Sequence, residues 1–472
     1  MAGTPIRRGS LPTRMADAIG DFSVATPARF ALLVFAGLTA LFAVLFSLPP
    51  ATSSGHAAPL VDAIFTAVSV ICVTGLSTVD MATFWSPLGH VFIFVGVEIG
   101  GIGVLTLASI LGLIISRKLG LRQKLLAAGD ANPLNLRKGL RVDAQALQLG
   151  DTGGLIVTVA VSVLVIELAA AVLLFPRMLL AGDDPWTAGW QSVYTAAMAF
   201  TNTGFLPSSA GLGPYAHDAW FLIVLMIAVG FGAIGFPVIH TLSRNPWHPR
   251  RWSLHVKLTI ATFLLLLAGG ALALLLLQWD GAQRGLDPGQ RILQSFFQSS
   301  MARSGGFSTV DVGHLDGASL FVTDMLMFVG GGSASTAGGI KVTTLAILFL
   351  GAFAEARGVD DMESFRRRIP SDVMRLAVSV VLWGATTVAA ATITLLVMTR
   401  APLDDVLFDV ISAFATCGLS TGFTASASEP AQYVLAATMF LGRIGTVTLA
   451  AALAASTRRQ LFRRPEERPI VG

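Results

Sequence analysis

Four short glycine-centred segments recur along the chain and could bind a cation through their backbone. They are Val73-Thr74-Gly75, Asn202-Thr203-Gly204, Ser304-Gly305-Gly306 and Thr416-Cys417-Gly418. Glycine adopts positive φ at no side-chain penalty, so such a segment can turn its carbonyl oxygens to one side. Carbonyl oxygens arranged in this way replace the hydration shell of a monovalent cation. We therefore predict that the four segments form four walls of one pore.

The first and third segments continue into nearly the same word, which indicates internal repeats. The two words are Gly75-Leu76-Ser77-Thr78-Val79-Asp80 and Gly306-Phe307-Ser308-Thr309-Val310-Asp311. They differ only at the second position. The four glycines are spaced much further apart than the units of a solenoid. A repeat of this length can hold two membrane helices with a shorter helix between them.

The composition indicates a membrane protein. Hydrophobic residues make up 54% of the chain and charged residues 13%, which is about half the charged fraction of a soluble domain. Eight segments are long and apolar enough to cross a hydrocarbon layer of roughly 30 Å. They are 30–48, 88–115, 152–175, 219–243, 256–278, 319–353, 374–398 and 431–456.

A shorter apolar stretch lies between the two members of each pair. These stretches are 61–72, 187–201, 290–302 and 405–415. Each is too short to span, so we interpret it as a re-entrant pore helix. The predicted fold is an all-α polytopic membrane protein with four tandem helix, pore-helix, helix repeats. Its eight transmembrane helices and four re-entrant pore loops surround one central pore.

The predicted boundaries follow from these segments. They are an N-terminal segment 1–29, repeat 1 at 30–115, a connection 116–151, repeat 2 at 152–243, repeat 3 at 244–353, repeat 4 at 354–456 and a C-terminal tail 457–472. Most of the 32 Lys and Arg lie in the two termini and in three alternate connections, whereas 49–87 contains none. Basic loops face the cytoplasm. We therefore expect a multi-pass cell-membrane protein with both termini cytoplasmic, and we interpret the charge of +4 as a topology signal rather than a sign of nucleic-acid binding.

A glycine-rich run interrupts the sixth apolar segment. It comprises Gly330, Gly331, Gly332, Ser333, Ala334, Ser335, Thr336, Ala337, Gly338 and Gly339, followed by Ile340 and Lys341. A phosphate-binding loop needs Gly-Lys followed by Ser or Thr after a strand, and this run lacks both features. Non-helical backbone at membrane depth must line a cavity or be buried in protein. A loop below the pore walls and a helix broken only for packing are the two alternatives.

We single out three ionisable residues inside apolar segments, where charge is costly and marks a pathway or a pair. They are Arg443 in the last segment, Glu98 and Glu167. Glu98 could partner Lys341 or Arg443, or make a structural hydrogen bond at a helix interface. Cys72 and Cys417 give no disulfide framework. The seven histidines have no metal-ligand spacing, and no catalytic constellation is present, so we predict that the chain is not an enzyme.

The segments resemble the Trk, Ktr and HKT superfamily of potassium transporters over nearly the whole chain. Residues 65–76, 196–205, 302–307 and 416–420 look like its four pore-helix ends and filters. The third departs slightly from the family pattern, although Arg303 and Gly306 stand where expected. In this family a serine in place of the first filter glycine is associated with sodium preference. Since this chain has Gly75, the resemblance implies potassium at the filter.

The resemblance also implies a gate and partners. The run 330–339 with Lys341 matches the family's intramembrane loop, and Arg443 matches an arginine that faces the pore beside it. Eight helices place the chain nearest the Ktr-type pore subunit. Such subunits form homodimers in the lipid bilayer and work with a separate cytosolic ring that binds nucleotide. The implied function is potassium uptake, with no organic cofactor in this chain.

An alternative is a sodium-coupled or sodium-conducting secondary transporter, with sodium as a coupling or activating ion. Such transporters bind substrate at the midplane between inverted repeats. Here the repeats run in the same order throughout the chain, which favours the channel-like pore.

Overall fold

The computed structural model describes residues 27–103, 152–359 and 361–445. Two predicted cytosolic segments, 116–151 and 457–472, lie outside the described residues, and most of 1–29 does as well. The described part is mostly helical. Its main helices are α1 Pro27–Ser47, α2 Leu60–Ile71, α3 Met81–Phe84, α4 Pro87–Gly103, α5 Thr152–Leu180, α6 Pro185–Phe200, α7 Ala219–Ile234, α8 Phe236–Arg244, α9 Leu254–Gln278, α10 Pro288–Met301, α11 Gly317–Phe328, α12 Val342–Ala356, α13 Ser371–Thr399, α14 Leu403–Ala415, α15 Phe423–Ser426 and α16 Glu429–Phe440.

A helix occupies each of the four stretches predicted as pore helices. These helices are α2, α6, α10 and α14, and each ends one to three residues before a glycine-centred segment. The starts of α6 and α10 are built alike, because Asp184 and Asp287 accept hydrogen bonds from the backbone at the N-terminus and a proline follows each. Proline at this position loses no hydrogen bond. The sequence therefore fixes where these helices begin.

Three described helices are each long and apolar enough to cross a membrane: α5, counted from Thr158, α9 and α13. A fourth span is possible if α7 and α8 are counted together, although they meet at an angle of 106°. Gly235 joins them with φ of +90°, and Pro237 follows in the first turn of α8. The predicted sixth segment is interrupted as expected, since residues 329–341 separate α11 from α12. Because two of the predicted segments run beyond the described residues, the count of eight spans stays a prediction.

One small sheet departs from the all-α prediction. Strands β1 Met362–Ser364 and β2 Arg367–Ile369 pair antiparallel, in the connection before α13. Their two-residue turn, Phe365-Arg366, has positive φ at both positions. Type I′ hairpin turns have this geometry and usually contain Asn-Gly, so the sequence carried no turn signal here. Buried Met362 and Ile369 hold the hairpin against the neighbouring ends of α9, α12 and α13.

Close packing brings α4 against the end of α2. A Cβ placed on Gly100 of α4 would lie 2.5 Å from the carbonyl oxygen of Ile71, the last residue of α2. That neighbour is backbone and cannot move aside as a side chain would. The absence of a side chain at Gly100 therefore sets how near α4 approaches the first glycine-centred segment.

We predict that Gly100→Ala destabilises the folded protein by about 1–3 kcal/mol, because the new methyl group overpacks this contact. Gly37→Ala in α1 is the control, since a Cβ there meets nothing within 4 Å. It should leave stability unchanged or raise it, as alanine is about 0.5–1 kcal/mol better than glycine inside a helix. Thermal unfolding of the two purified variants in detergent gives the comparison. Equal midpoints would contradict this packing argument.

Candidate functional site

The four glycine-centred segments meet in space and close into a ring. We call residues 73–75, 202–204, 304–306 and 416–418 the glycine ring. A Cβ placed on Gly75 would lie 1.7 Å from the carbonyl oxygen of Thr203 and 3.3 Å from the Cα of Gly418. One placed on Gly306 would lie 3.2 Å from the Cα of Gly204. Segments separated by more than half of the chain are therefore immediate neighbours.

The middle residue of each segment turns its carbonyl oxygen into the ring. The oxygen of Thr74 would lie 2.6 Å from a Cβ on Gly418, and that of Cys417 would lie 2.7 Å from a Cβ on Gly306. Thr203 and Gly305 direct their oxygens inward in the same way. The Thr203 oxygen lies against the Cβ position of Gly75, and the Gly305 oxygen lies against the Cβ position of Gly204.

These four carbonyl oxygens have no hydrogen-bond donor within the described part of the chain. Their residues are nevertheless buried, and Thr74, Thr203 and Cys417 are fully inaccessible. Buried carbonyl groups in proteins are almost always paired, so four unpaired ones at one place need an explanation. A group of convergent acceptors without a donor is suited to a positively charged ligand.

Backbone strain marks the same four segments. The residue two before each ring glycine also has positive φ, although it is not glycine: Val73 at 56°, Asn202 at 61°, Ser304 at 86° and Thr416 at 47°. The ring glycines themselves have φ between 73° and 95°. A non-glycine residue in this region costs about 1–3 kcal/mol and persists only where the surroundings enforce it. For β-branched Val73 such a φ is a true outlier.

The N–H groups of the ring point away from its centre, back to the helix that precedes each segment. Thr74 N donates to the Ser69 carbonyl at 2.7 Å, and Cys417 N donates to the Ser412 carbonyl at 2.9 Å. The side chains of Ser69 and Ser412 accept from the next N–H, that of Gly75 and of Gly418, both at 3.1 Å. Donors thus face outward and acceptors inward, which favours a cation at the centre.

The loop 329–341 packs against the junction between α7 and α8. Gly332 N donates to Ala233 O at 2.7 Å, and Phe236 N donates to Ala334 O at 3.0 Å. Thr336 N donates to the carbonyl of Gly232 at 3.2 Å. Two interrupted helices therefore satisfy each other's free backbone groups, which is the condition for irregular backbone inside a membrane protein.

The same loop touches the glycine ring directly. Ser304 Oγ donates to the carbonyl of Thr416 at 2.9 Å and accepts from Gly338 N at 3.3 Å. Thr336 Oγ1 donates to Phe200 O, at the end of α6, at 3.1 Å. A Cβ on Gly338 would lie 2.2 Å from Thr416 Oγ1. The loop and the ring therefore share hydrogen bonds and have no room between them.

Two basic side chains hold the loop. Arg443 is buried in a π-helical turn, Leu441–Gly445, and its Nη1 donates to the carbonyl of Thr336 and to Thr416 Oγ1. The Lys341 ammonium donates to Ala337 O at 2.6 Å. Single π-helical turns inside helices occur often at functional sites. The structure therefore brings Arg443, Lys341 and the loop together beside the ring.

The other residues singled out from the sequence lie outside the glycine ring, namely Arg303, Glu98, Glu167 and Cys72. Arg303 is fully buried and stacks on Phe263 of α9, with its guanidinium carbon 3.4 Å from the ring centroid. Glu98 of α4 faces Glu167 of α5, rather than Lys341 or Arg443. Cys72 and Cys417 are buried free thiols. Arg303 thus anchors the third segment to α9, and the two acids meet at an apolar helix interface.

Sequence reasoning missed several contributors. Gly232 and Gly235 shape the α7–α8 junction, and Ser69 and Ser412 hold the ring glycines. A signal existed for the two serines, because each stands six residues before its ring glycine. A further signal was the fourth word, Gly418-Leu419-Ser420-Thr421, which repeats the first word at four positions. No comparable signal marked the α7–α8 junction, because its role depends on contacts with the loop 329–341, which lies far along the chain.

Long apolar helices around a ring of inward carbonyl oxygens define a membrane protein that handles ions. A sequence profile of the TrkH family, described as a cation transport protein, matches residues 38–460. The chain belongs to this family. It is a multi-pass membrane protein, and its family and relatives are ion transporters rather than enzymes.

Individual relatives match along almost their full length. The chain is 34% identical to the Ktr system potassium uptake protein B of Vibrio alginolyticus, over 94% of each chain. It is 32% identical to the Ktr system potassium uptake protein D of Bacillus subtilis, over 95% of this chain and 97% of that protein. The crystal structure of the potassium transporter TrkH from Vibrio parahaemolyticus has the same fold. Its TM-score is 0.68 at 18% identity, with 90% of this chain and 83% of that chain covered.

We predict that Ser304→Ala loosens the loop 329–341. The change leaves Gly338 N and the Thr416 carbonyl without their partner, and an unsatisfied buried group costs about 1–3 kcal/mol. Hydrogen exchange of peptides covering the loop should become roughly tenfold faster, which corresponds to about 1.4 kcal/mol. Ser333→Ala is the control, because Ser333 Oγ contacts only Thr343 Oγ1. If both variants exchange alike, the bridge through Ser304 does not hold the loop.

Proposed function

We propose that this protein carries potassium ions across the cell membrane, with the glycine ring as its selectivity filter. The observation that carries the proposal is the set of four buried, unpaired carbonyl oxygens that converge on one point. The Ktr relatives are named as potassium uptake proteins and the TrkH relative as a potassium transporter, which supports the choice of ion.

The chemistry of the ring suits a monovalent cation. It offers backbone dipoles and no carboxylate, so an ion exchanges its hydration shell for oxygens of moderate field strength and can leave again. The four ring glycines are only half-buried, whereas the residues before them are buried. This difference supports a narrow path along the ring axis. The strain stored at the preceding positions keeps the oxygens fixed before an ion arrives.

The ring requires a particular arrangement in the membrane. We propose that α2, α6, α10 and α14 are re-entrant pore helices, and that eight spans in four repeats surround them, with the repeats bounded as predicted at 30–115, 152–243, 244–353 and 354–456. Both termini would face the cytoplasm. Re-entrant, non-helical backbone is tolerated where it lines water or is buried, and the ring meets that condition.

The loop 329–341 would act as the gate. It lies against the ring, and Arg443 and Lys341 bring two basic groups to the same place. A fixed positive charge opposes the passage of a cation, and the packed loop fills the space that an ion needs. Opening would require the loop to leave its contacts with Ser304 and Thr416.

A partner would control this gate. The relatives carry the words "Ktr system" in their names, which implies more than one component. We propose that a cytosolic nucleotide-binding ring binds the cytoplasmic side and that the chain forms a homodimer with one pore in each protomer.

Sodium provides the second candidate. The chain is 28% identical to the potassium/sodium uptake protein NtpJ of Enterococcus hirae, over 94% of this chain and 95% of that protein. The name of this relative favours a pore that also conducts sodium, or one in which potassium transport is coupled to sodium. Uptake of potassium at varied sodium concentration separates the two functions, because only the second depends on sodium.

Gly75→Ser tests the filter. The new side chain would collide with the carbonyl of Thr203, so we expect the potassium-to-sodium permeability ratio in proteoliposomes to fall by about tenfold or more, about 1.4 kcal/mol. Gly182→Ser is a matched control, because Gly182 also has positive φ but a Cβ there meets nothing within 4 Å. An unchanged ratio in folded Gly75→Ser would exclude the ring as the filter.

Arg443→Ala tests the gate. Loss of the bonds to Thr336 and Thr416 should free the loop and lower the electrostatic barrier, giving several-fold higher potassium flux in the absence of any partner. Arg443→Lys keeps the positive charge, so its potassium flux should lie between that of Arg443→Ala and that of the unsubstituted protein. Arg400→Ala, at the exposed end of α13, is the control. Flux equal to the unsubstituted protein in Arg443→Ala would remove Arg443 from the gate.

A further inference from the structure

The repeated word after the first and third ring glycines folds into the same hydrogen-bonded turn. Ser77 Oγ donates to the carbonyl of Val79 at 2.6 Å and accepts from its N–H at 3.2 Å. Ser308 does the same with Val310, at the same two distances. The word is thus a structural unit that fixes the chain immediately after the ring.

The threonine of each word is tied to the helix that precedes the ring. Thr78 Oγ1 donates to Asp62 Oδ1 of α2 at 2.6 Å. Thr309 Oγ1 donates to Gln294 Oε1 of α10 at 2.5 Å. Each hydrogen bond links the helix before a ring segment to the chain that follows it, so the segment is held at both ends. We call such a link a brace, and each ring segment a wall.

The fourth segment has the strongest brace. Asp409 of α14 is fully buried and accepts hydrogen bonds from three residues that follow Gly418. The donors are Ser420 Oγ at 2.7 Å, Thr421 N at 2.9 Å, Thr421 Oγ1 at 3.4 Å, Thr424 N at 2.8 Å and Thr424 Oγ1 at 2.5 Å. All five contacts use the carboxylate as acceptor. Bonds to a charged group are shorter and stronger than neutral ones.

Among the residues that the structure describes, none braces the second segment in this way. Leu206 and Pro207 stand where the other segments have serine and threonine, and neither has a hydroxyl group. The four walls are therefore held unequally. A carboxylate holds the first and fourth walls, through Asp62 and Asp409, and the amide of Gln294 holds the third. Among the described residues, neither group holds the second.

The two carboxylates lie on neighbouring walls. Gly75 and Gly418 are adjacent in the ring, so Asp62 and Asp409 stand behind the same half of it. Asp409 forms no ion pair with any described residue. A buried charge without a counter-ion acts over a longer range than an exposed one, because little solvent screens it. Cations in the ring would experience this field.

We infer that Asp409 is a positioning residue that sets ion discrimination. It fixes the distance of the fourth wall from the axis through Ser420, Thr421 and Thr424, and together with Asp62 it supplies negative potential at the ring. A wall free to move would adapt to ions of different radius, whereas a braced wall favours one. The inference rests on the proposed function of the ring as a potassium filter.

Asp409→Asn is the first test, measured as the potassium-to-sodium permeability ratio in proteoliposomes. An amide nitrogen cannot accept the hydrogen bonds that one carboxylate oxygen receives, so the substitution removes the charge together with either the Thr421 bonds or the Ser420 and Thr424 bonds. We expect the ratio to fall about tenfold, equivalent to about 1.4 kcal/mol. Asp62→Asn loses charge but can still accept from Thr78, so its ratio should fall less. Asp404→Asn is the control, because Asp404 lies exposed on the same helix and its ratio should not change.

Two milder variants keep the carboxylate. Thr421→Val and Ser420→Ala each remove one hydroxyl hydrogen bond to Asp409. Each should lower the potassium-to-sodium permeability ratio by a smaller factor than Asp409→Asn does. Stabilisation against heat by potassium relative to sodium gives a second readout, which should weaken in the same order. A general loss of packing would lower stability equally in both ions.

The outcomes separate the inference from the proposed function. An unsubstituted protein that does not discriminate potassium from sodium would refute the filter itself. A selective unsubstituted protein with the same ratio in Asp409→Asn as in Asp404→Asn would overturn the inference alone. If Asp409→Asn yields no folded protein, Thr421→Val and Ser420→Ala decide, and unchanged ratios in both would overturn it.

Discussion

Unpaired backbone acceptors are the constraint on which the rest of the structure depends. Four buried carbonyl oxygens converge without a donor, and left-handed non-glycine residues before them store further strain. Neither state is stable by itself. The preceding helices, the side chains of Ser69 and Ser412, and the braces after three of the four ring glycines together hold the backbone in place. The helices around the ring are then needed to enclose this arrangement and keep it from relaxing.

The sequence predicted the parts of this arrangement that depend on local chemistry. The glycine-centred segments, the four helices before them and the interruption at 329–341 followed from residue type and spacing, whereas the link between Arg443 and the loop was implied by the family resemblance. Glycine, proline and a lone charge in apolar surroundings are strong local signals. For this reason the boundaries of the pore helices differ from the prediction by only a few residues.

Contacts between distant segments could not be predicted in the same way. The bend at Gly235 has meaning only because Ala334 accepts the N–H of Phe236, and no pattern in either segment specifies the other. Asp409 lies in the middle of α14, and its five donors lie on a later stretch of the chain. The β1–β2 hairpin uses Phe365-Arg366 in a turn that normally signals itself by asparagine and glycine. Tertiary contacts, rather than local preference, determine each of these features.

The shared hydrogen bonds between the loop 329–341 and the α7–α8 junction have a kinetic consequence. Gly332, Thr336 and Ala334 exchange backbone bonds with repeat two, so the loop cannot swing out as an isolated flap. Any displacement must either break several bonds at once or carry the bent helix with it. Such a coupled rearrangement has a high activation enthalpy and few intermediate positions. Under the proposed function, transport through the ring would accordingly switch between long-lived states, with a rate that rises steeply on warming, instead of varying smoothly with small fluctuations of one side chain.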